Sequence, residues 1–216
     1  MTARKVRILF IGNSFTTRND VPALLAGLAA NAEEGVSIES EIVAAGGASL
    51  RRHLNAGKAA ELLKASAWDY VVLQEQSTLP VKNRLRTHEN IRDFHELIRD
   101  TKARPVLYMT WARQKTPETQ KDLTAAYEEI GEEIGALVVP VGRAWEALLD
   151  NHPEVTLHDA DGSHPSLTGS YLAACVFQWS LFGEPVGFPA SASSIPAYKR
   201  DIVHQVAQRT AKGLCR

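Results

Sequence analysis

A serine, an aspartate and a histidine stand in two short polar blocks at opposite ends of this chain. Ile11-Gly12-Asn13-Ser14-Phe15 follows an apolar run near the N-terminus, and Asp161-Gly162-Ser163-His164-Pro165 precedes a long apolar segment. These are the residue types of a hydrolytic triad. A serine hydroxyl is a weak nucleophile at neutral pH. It needs a base within hydrogen-bond reach, and that base needs a partner to hold its tautomer. The three-residue spacing of Asp161 and His164 in a loop lets the carboxylate reach back to Nδ1, leaving Nε2 free for a serine on another loop. Ser14 lies two residues past an apolar run and ahead of a helical pattern, where its side chain and its N–H can both be presented. A turn or helix-cap serine fits the same position. The second block admits two other readings. One is a metal site from His158, Asp159, Asp161 and His164; the other is a solvated loop whose Asp, Gly and Ser make turns. No separate ligand cluster completes the metal site, and the D-x-D-G run lacks the rest of a calcium loop. Ser163 is a poor nucleophile candidate, because it shares the short loop of the other two groups.

The elements that must position these blocks alternate along the chain. Strand patterns are read at Val6–Gly12, Ser37–Ala44, Trp68–Gln74 (with Tyr70–Leu73 at its centre), Pro105–Thr110 and Leu137–Val141. Helical patterns cover Val21–Ala32, Leu50–Ala65 with a break near Gly57, Thr87–Thr101, Pro117–Ile134, Ala144–Leu149, Ser166–Phe182 and Ala197–Lys212. Five strands separated by helices imply βαβ crossovers and a mainly parallel sheet covered on both faces. The expected fold is a three-layer α/β/α sandwich with a flavodoxin-like five-stranded parallel sheet, order 2-1-3-4-5. Ligand sites in such sheets lie beyond the carboxyl ends of the strands. Ser14, Gly46-Gly47, Gln74-Glu75-Gln76 and Thr110-Trp111 each follow a strand, so all should meet at one edge.

Bulk properties exclude several function classes. The chain has 216 residues and 44% hydrophobic content, which suits one core and one domain over residues 1–216. With 24 Lys+Arg against 25 Asp+Glu, nothing favours nucleic acid or an anionic membrane as a partner. Cys175 and Cys215 read as a buried thiol and a tail thiol, since neither sits in a ligand-spaced motif. The first apolar run is too short for the core of a signal peptide, and no stretch approaches the roughly 18 apolar residues of a membrane span. A cytoplasmic location is expected, with no cofactor and no metal. The oligomeric state is open, and 182–196 reads as a loop that could serve an interface.

The ordered pair of blocks resembles the SGNH (GDSL-type) hydrolase superfamily, which carries G-D-S after the first strand and D-x-x-H before the last helix. Gly12-Asn13-Ser14 and Asp161-Gly162-Ser163-His164 match by position as well as by letter, with Asn13 where most members have Asp. The resemblance implies that Ser14, Asp161 and His164 are the catalytic residues. It also implies an oxyanion hole from the N–H of Ser14, the N–H of a glycine after strand two, and a third donor after strand three. Gly47, in Ala45-Gly46-Gly47-Ala48-Ser49-Leu50, aligns best with that glycine; a side chain there would obstruct the approach of an oxyanion to the backbone. The third donor is an Asn in most members, and none is present here. Gln74-Glu75-Gln76 is similar to the Q-G-E block of carbohydrate acetylesterases in this superfamily, so the donor falls to Gln74 by that alignment or Gln76 by loop position.

Together these readings lead to a serine esterase acting through an acyl-enzyme on Ser14. The expected substrate is a small-molecule short-chain acyl ester, more narrowly an O-acetyl group on a sugar. An acyltransferase would differ only in the acceptor. Trp111, after strand four, is a weaker candidate as the floor of a substrate pocket, and His53, Arg113 and Lys115 are weaker still. The alternative from another class is a flavodoxin-like small-ligand binding module without hydrolase activity.

Overall fold

The first strand, β1 (Arg4–Gly12), is apolar on both faces because it lies inside a sheet that is covered on both sides. Ile8 and Phe10 point into one core, Leu9 and Ile11 into the other. The computed structural model describes residues 4–32, 35–183 and 187–213. Its sheet adds β2 (Val36–Ala44), β3 (Tyr70–Leu73), β4 (Arg104–Tyr108) and β5 (Leu137–Val139), in the order β2-β1-β3-β4-β5 with every pair parallel.

Ten helices connect the strands among the described residues. They are α1 (Ser14–Thr17), α2 (Val21–Ala30), α3 (Leu50–Ala56), α4 (Lys58–Ala65), α5 (Leu79–Lys82), α6 (Arg84–Arg99), α7 (Gln120–Ile134), α8 (Val141–Asn151), α9 (Leu167–Phe182) and α10 (Ala197–Ala211). The core on one face of the sheet is filled from α2, α8, α9 and α10, and that on the other from α3, α4, α6 and α7. Helix α9 is buried continuously from Gly169 to Gln178, because α2 and α10 flank it. A helix apolar all round belongs in such a place. Cys175 lies on this buried stretch, while Cys215 falls outside the described residues.

The elements differ from the sequence reading mainly at their ends. The break near Gly57 is real: its φ of +77° ends α3 and begins α4. Helix α6 starts at Arg84 rather than Thr87, because the Asn83 side chain accepts from Arg86 N at 3.0 Å and caps it. The loop before it holds the short helix α5. The short helix expected over Ala144–Leu149 is the eleven-residue α8, which takes Val141, the last residue assigned to strand five, and has Pro140 as its N-cap. Each strand ends at the same edge of the sheet, and the loops that follow β1 to β4 converge there.

Candidate active site

Ser14 is the first residue of α1, directly after the turn that leaves β1. Asn13 makes the turn in an extended conformation and caps the helix, its Oδ1 accepting from Phe15 N at 3.0 Å. Gly12 is required here by close approach. A Cβ on it would lie 2.7 Å from both Gln74 Oε1 and Thr16 Oγ1. Ser14 Oγ then sits 2.8 Å from His164 Nε2, and His164 Nδ1 sits 2.5 Å from Asp161 Oδ2. With the Nδ1 proton donated to the carboxylate, Nε2 carries the lone pair that accepts from the serine hydroxyl. The three groups therefore form one continuous hydrogen-bonded chain across 150 residues of sequence.

The Asp161–His164 loop is held by its own short contacts. Asp161 Oδ1 accepts from the N–H groups of Ser163 and His164, each at 2.9 Å, while Oδ2 takes the imidazole. The imidazole hydrogen bond first, and these two N–H groups next, hold the Asp161 carboxyl well below the usual carboxylate range. Asp159 N donates to His164 O at 2.8 Å, and His158 pairs with Pro165 across a β-bridge. The metal reading disperses here. His158 is buried and donates through Nε2 to Ala112 O, and Asp159 pairs with Arg18. Among the described residues no group of three or more His, Cys, Asp or Glu is arranged to hold a metal ion.

Tertiary contacts join the two ends of the chain. Beyond the Arg18–Asp159 ion pair, Asn19 takes a left-handed conformation (φ +54°). Its Nδ2 donates to Pro165 O at 3.1 Å and to Ser170 Oγ at 3.0 Å. Trp111 supplies a third link, donating from Nε1 to Ser163 O at 3.1 Å. It is stacked between Phe15 (centroids 4.6 Å apart) and Trp145 (3.9 Å), with 1% of its surface exposed. The expectation that Trp111 floors a substrate pocket is therefore corrected. It has no free face for a ligand, and it braces the His164 loop from inside the core.

The oxyanion-hole expectations separate. Among the described residues neither Ser14 N–H nor Gly47 N–H has a hydrogen-bond partner within the protein. Gly47 has a φ of +62°, and a Cβ built on it would meet nothing within 4 Å. That left-handed backbone conformation by itself favours glycine here. Gln74 is corrected as a donor: it is fully buried and its amide is used internally. Oε1 accepts from Asn13 N at 2.9 Å and Thr16 Oγ1 at 3.1 Å, and Nε2 donates to Glu75 O. Gln76 differs. Its Oε1 accepts from Thr78 N, Thr78 Oγ1 and Leu79 N at 2.9, 3.0 and 2.9 Å, which turns the amide so that Nε2 faces away from α5. Nε2 has no partner among the described residues.

Glu75, Asn13 and His53 join these loops from beneath. Glu75 is fully buried, and its carboxylate accepts from Leu50 N (3.0 Å), Gln76 N (2.6 Å) and Asn90 Nδ2 (2.7 Å). Burial raises the Glu75 pKa, opposed by those three donors. Asn13 Nδ2 donates to Ala48 O at 3.0 Å and lies 3.5 Å from Glu75 O. A carboxylate in place of Asn13 could donate to neither carbonyl. His53, a weak pocket candidate from the sequence, is buried and donates from Nε2 to Gly12 O at 2.7 Å. The one sequence signal for this network was a charged residue, Glu75, directly after a buried strand.

A solved structure of a protein from Slackia heliotrinireducens assigned to the SGNH hydrolases is 32% identical to this chain. The match covers 81% of this chain and 97% of that one, with a TM-score of 0.69. The chain belongs to the SGNH hydrolase superfamily. A DUF4886 family protein from Bacteroides uniformis shares the SGNH fold seen here over 98% of this chain and 96% of its own, at 19% identity and a TM-score of 0.79. An acetyl xylan esterase from Geobacillus stearothermophilus shares it over 82% of this chain and 95% of its own, at 17% identity and a TM-score of 0.61. No family model matches this SGNH hydrolase, and no curated protein matches its sequence. No helix among the described residues is long and apolar enough to cross a membrane.

Proposed function

We propose that this SGNH hydrolase is a serine esterase for short-chain acyl esters. The observation that carries the reading is the hydrogen-bonded chain Ser14–His164–Asp161, set beside two unpartnered backbone N–H groups. His164 Nε2 takes the Ser14 proton as Oγ attacks the ester carbonyl. The oxyanion is received by the N–H groups of Ser14 and Gly47 and by Gln76 Nε2, each such donor being worth about 3 kcal/mol in the transition state. His164 then protonates the departing alkoxide, leaving an acyl group on Ser14. In the second half His164 takes a proton from water, hydroxide attacks the acyl carbon, and Ser14 is regenerated. Asp161 stays ionised throughout and orients the imidazole.

The narrower reading is an O-acetyl ester of a sugar. It is supported by the fold shared with acetyl xylan esterases. The test is hydrolysis of p-nitrophenyl acetate by the protein and by Ser14→Ala. The alanine variant is expected to lose more than about 10⁴-fold in turnover. An alanine variant as fast as the parent overturns the nucleophile assignment and favours a binding module on the same fold. Acetylated sugars set against p-nitrophenyl esters of rising chain length test the narrower reading.

A further inference from the structure

An open groove of about 600 Å³ begins at Gly47 and Gln76 and runs outward between α3 and the start of α6. Arg51, Arg52 and Arg86 line it together with Asn90, and no carboxylate is among its lining residues. The three guanidiniums are not equivalent. Arg51 is fixed from behind: its Nε donates to Asn90 Oδ1 at 3.0 Å and its Nη2 to Asp93 at 2.5 Å. Asn90 is itself fully buried and anchored on Glu75, so this guanidinium is placed by the network that sets the oxyanion loops. Arg86 pairs with Glu89 at 2.9 Å. Arg52 is exposed and has no ion-pair partner among the described residues. Asp93 and Glu89 pair with Arg51 and Arg86, and the Glu75 carboxylate is enclosed beneath the groove by its three donors, so the Arg52 guanidinium is the one at the groove without a carboxylate partner among the described residues.

We infer that this groove selects esters bearing an anionic group, a carboxylate, sulfate or phosphate, held by Arg52 beside Arg51 and Arg86. The inference rests on the reading of Ser14 as the nucleophile and adds the substrate's charge class to it. Guanidinium forks suit planar or tetrahedral oxyanions. A small neutral acetyl ester would leave the groove empty, whereas an anionic group a few bonds from the ester carbonyl would reach it past Gly47 and Gln76. Which side of the scissile bond carries the charge is decided by experiment.

The alcohol side is probed with 4-acetoxybenzoate against its methyl ester, and the acyl side with monophenyl glutarate against phenyl pentanoate. One of the two anionic esters is expected to gain about fivefold in kcat/KM over its neutral match once intrinsic reactivity is divided out. Arg52→Glu should abolish or invert that ratio, and raising salt from about 0.02 to 0.5 M should flatten it. Binding of the same ester pair to Ser14→Ala, followed by chemical-shift titration, reads the groove without turnover. Preference for the anion in Ser14→Ala, lost in the double variant with Arg52→Glu, supports the inference even if the parent hydrolyses neither ester; that second result would overturn the esterase reading alone. Hydrolysis of all four esters with no charge preference, unchanged by Arg52→Glu, overturns the inference and leaves the esterase reading standing.

Discussion

Ser14 is held by buried polar side chains, whereas Asp161 and His164 stand on an exposed loop. Asn13, Gln74 and Glu75, which set the serine turn and the loops of Gly47 and Gln76, are 2%, 0% and 0% exposed. The side chains of Asp161 and His164 are 49% and 29% exposed. The first half of the site is thus part of the core, and its positions are coupled to folding. The second is shaped by hydrogen bonds spanning three residues and docked by a few contacts, from Arg18, Asn19 and Trp111. A change on the loop should alter chemistry and spare stability. A change in the buried network should cost stability first.

The sharpest test of that contrast is Asp161→Asn. The amide can still accept from Ser163 and His164 N–H through Oδ1, but it presents a donor to Nδ1 and favours the wrong tautomer. Turnover of p-nitrophenyl acetate should fall about 10⁴-fold, while the free energy of unfolding in urea changes by no more than about 0.5 kcal/mol. A loss of several kcal/mol would show the loop to be structural and break the comparison.

Glu75→Ala should do the reverse. It leaves Leu50 N, Gln76 N and Asn90 Nδ2 without their shared acceptor in the interior, at about 3 kcal/mol of unfolding free energy. Urea melts of the variant read this directly. A change below about 1 kcal/mol would mean that water replaces the carboxylate and that the network is not part of the core.

Asn13→Asp is the smallest and the most pointed, because it installs the residue most superfamily members carry. In this chain it removes the donor to Ala48 O and sets a carboxylate against the carbonyl oxygens of Ala48 and Glu75, so it should cost about 2 kcal/mol. Thermal melting compared with Asn13→Ala separates the effects: if the aspartate variant is the more stable of the two, charge crowding is absent and the donor bond alone matters.

Much of this was legible in the chain. The five strands and their order follow from apolar runs alternating with helical patterns, and the Asp161–His164 pair could be read because its geometry is local. Element ends were less legible where a side chain decided them, as at Asn83 before α6. The buried network was harder still. Gln74 and Gln76 are alike by letter and nearly alike by position, yet one amide is used up inside the core and the other is turned outward by the turn into α5. Trp111 looked like a pocket residue because sequence gives a strand end but not what stacks on it.

Residue types and spacing by themselves determined the sheet, the edge where the loops meet, and the local bond from Asp161 to His164, since each depends on periodicity or on neighbours a few residues apart. Only the tertiary structure decided that Ser14 Oγ meets His164 Nε2 across 150 residues, which glutamine keeps a free donor, and that Glu75 ties two loops together. Those outcomes depend on which buried polar group finds which partner, and a buried donor or acceptor costs too much to leave unpaired. The full set of partners is settled only when the whole fold has closed around them.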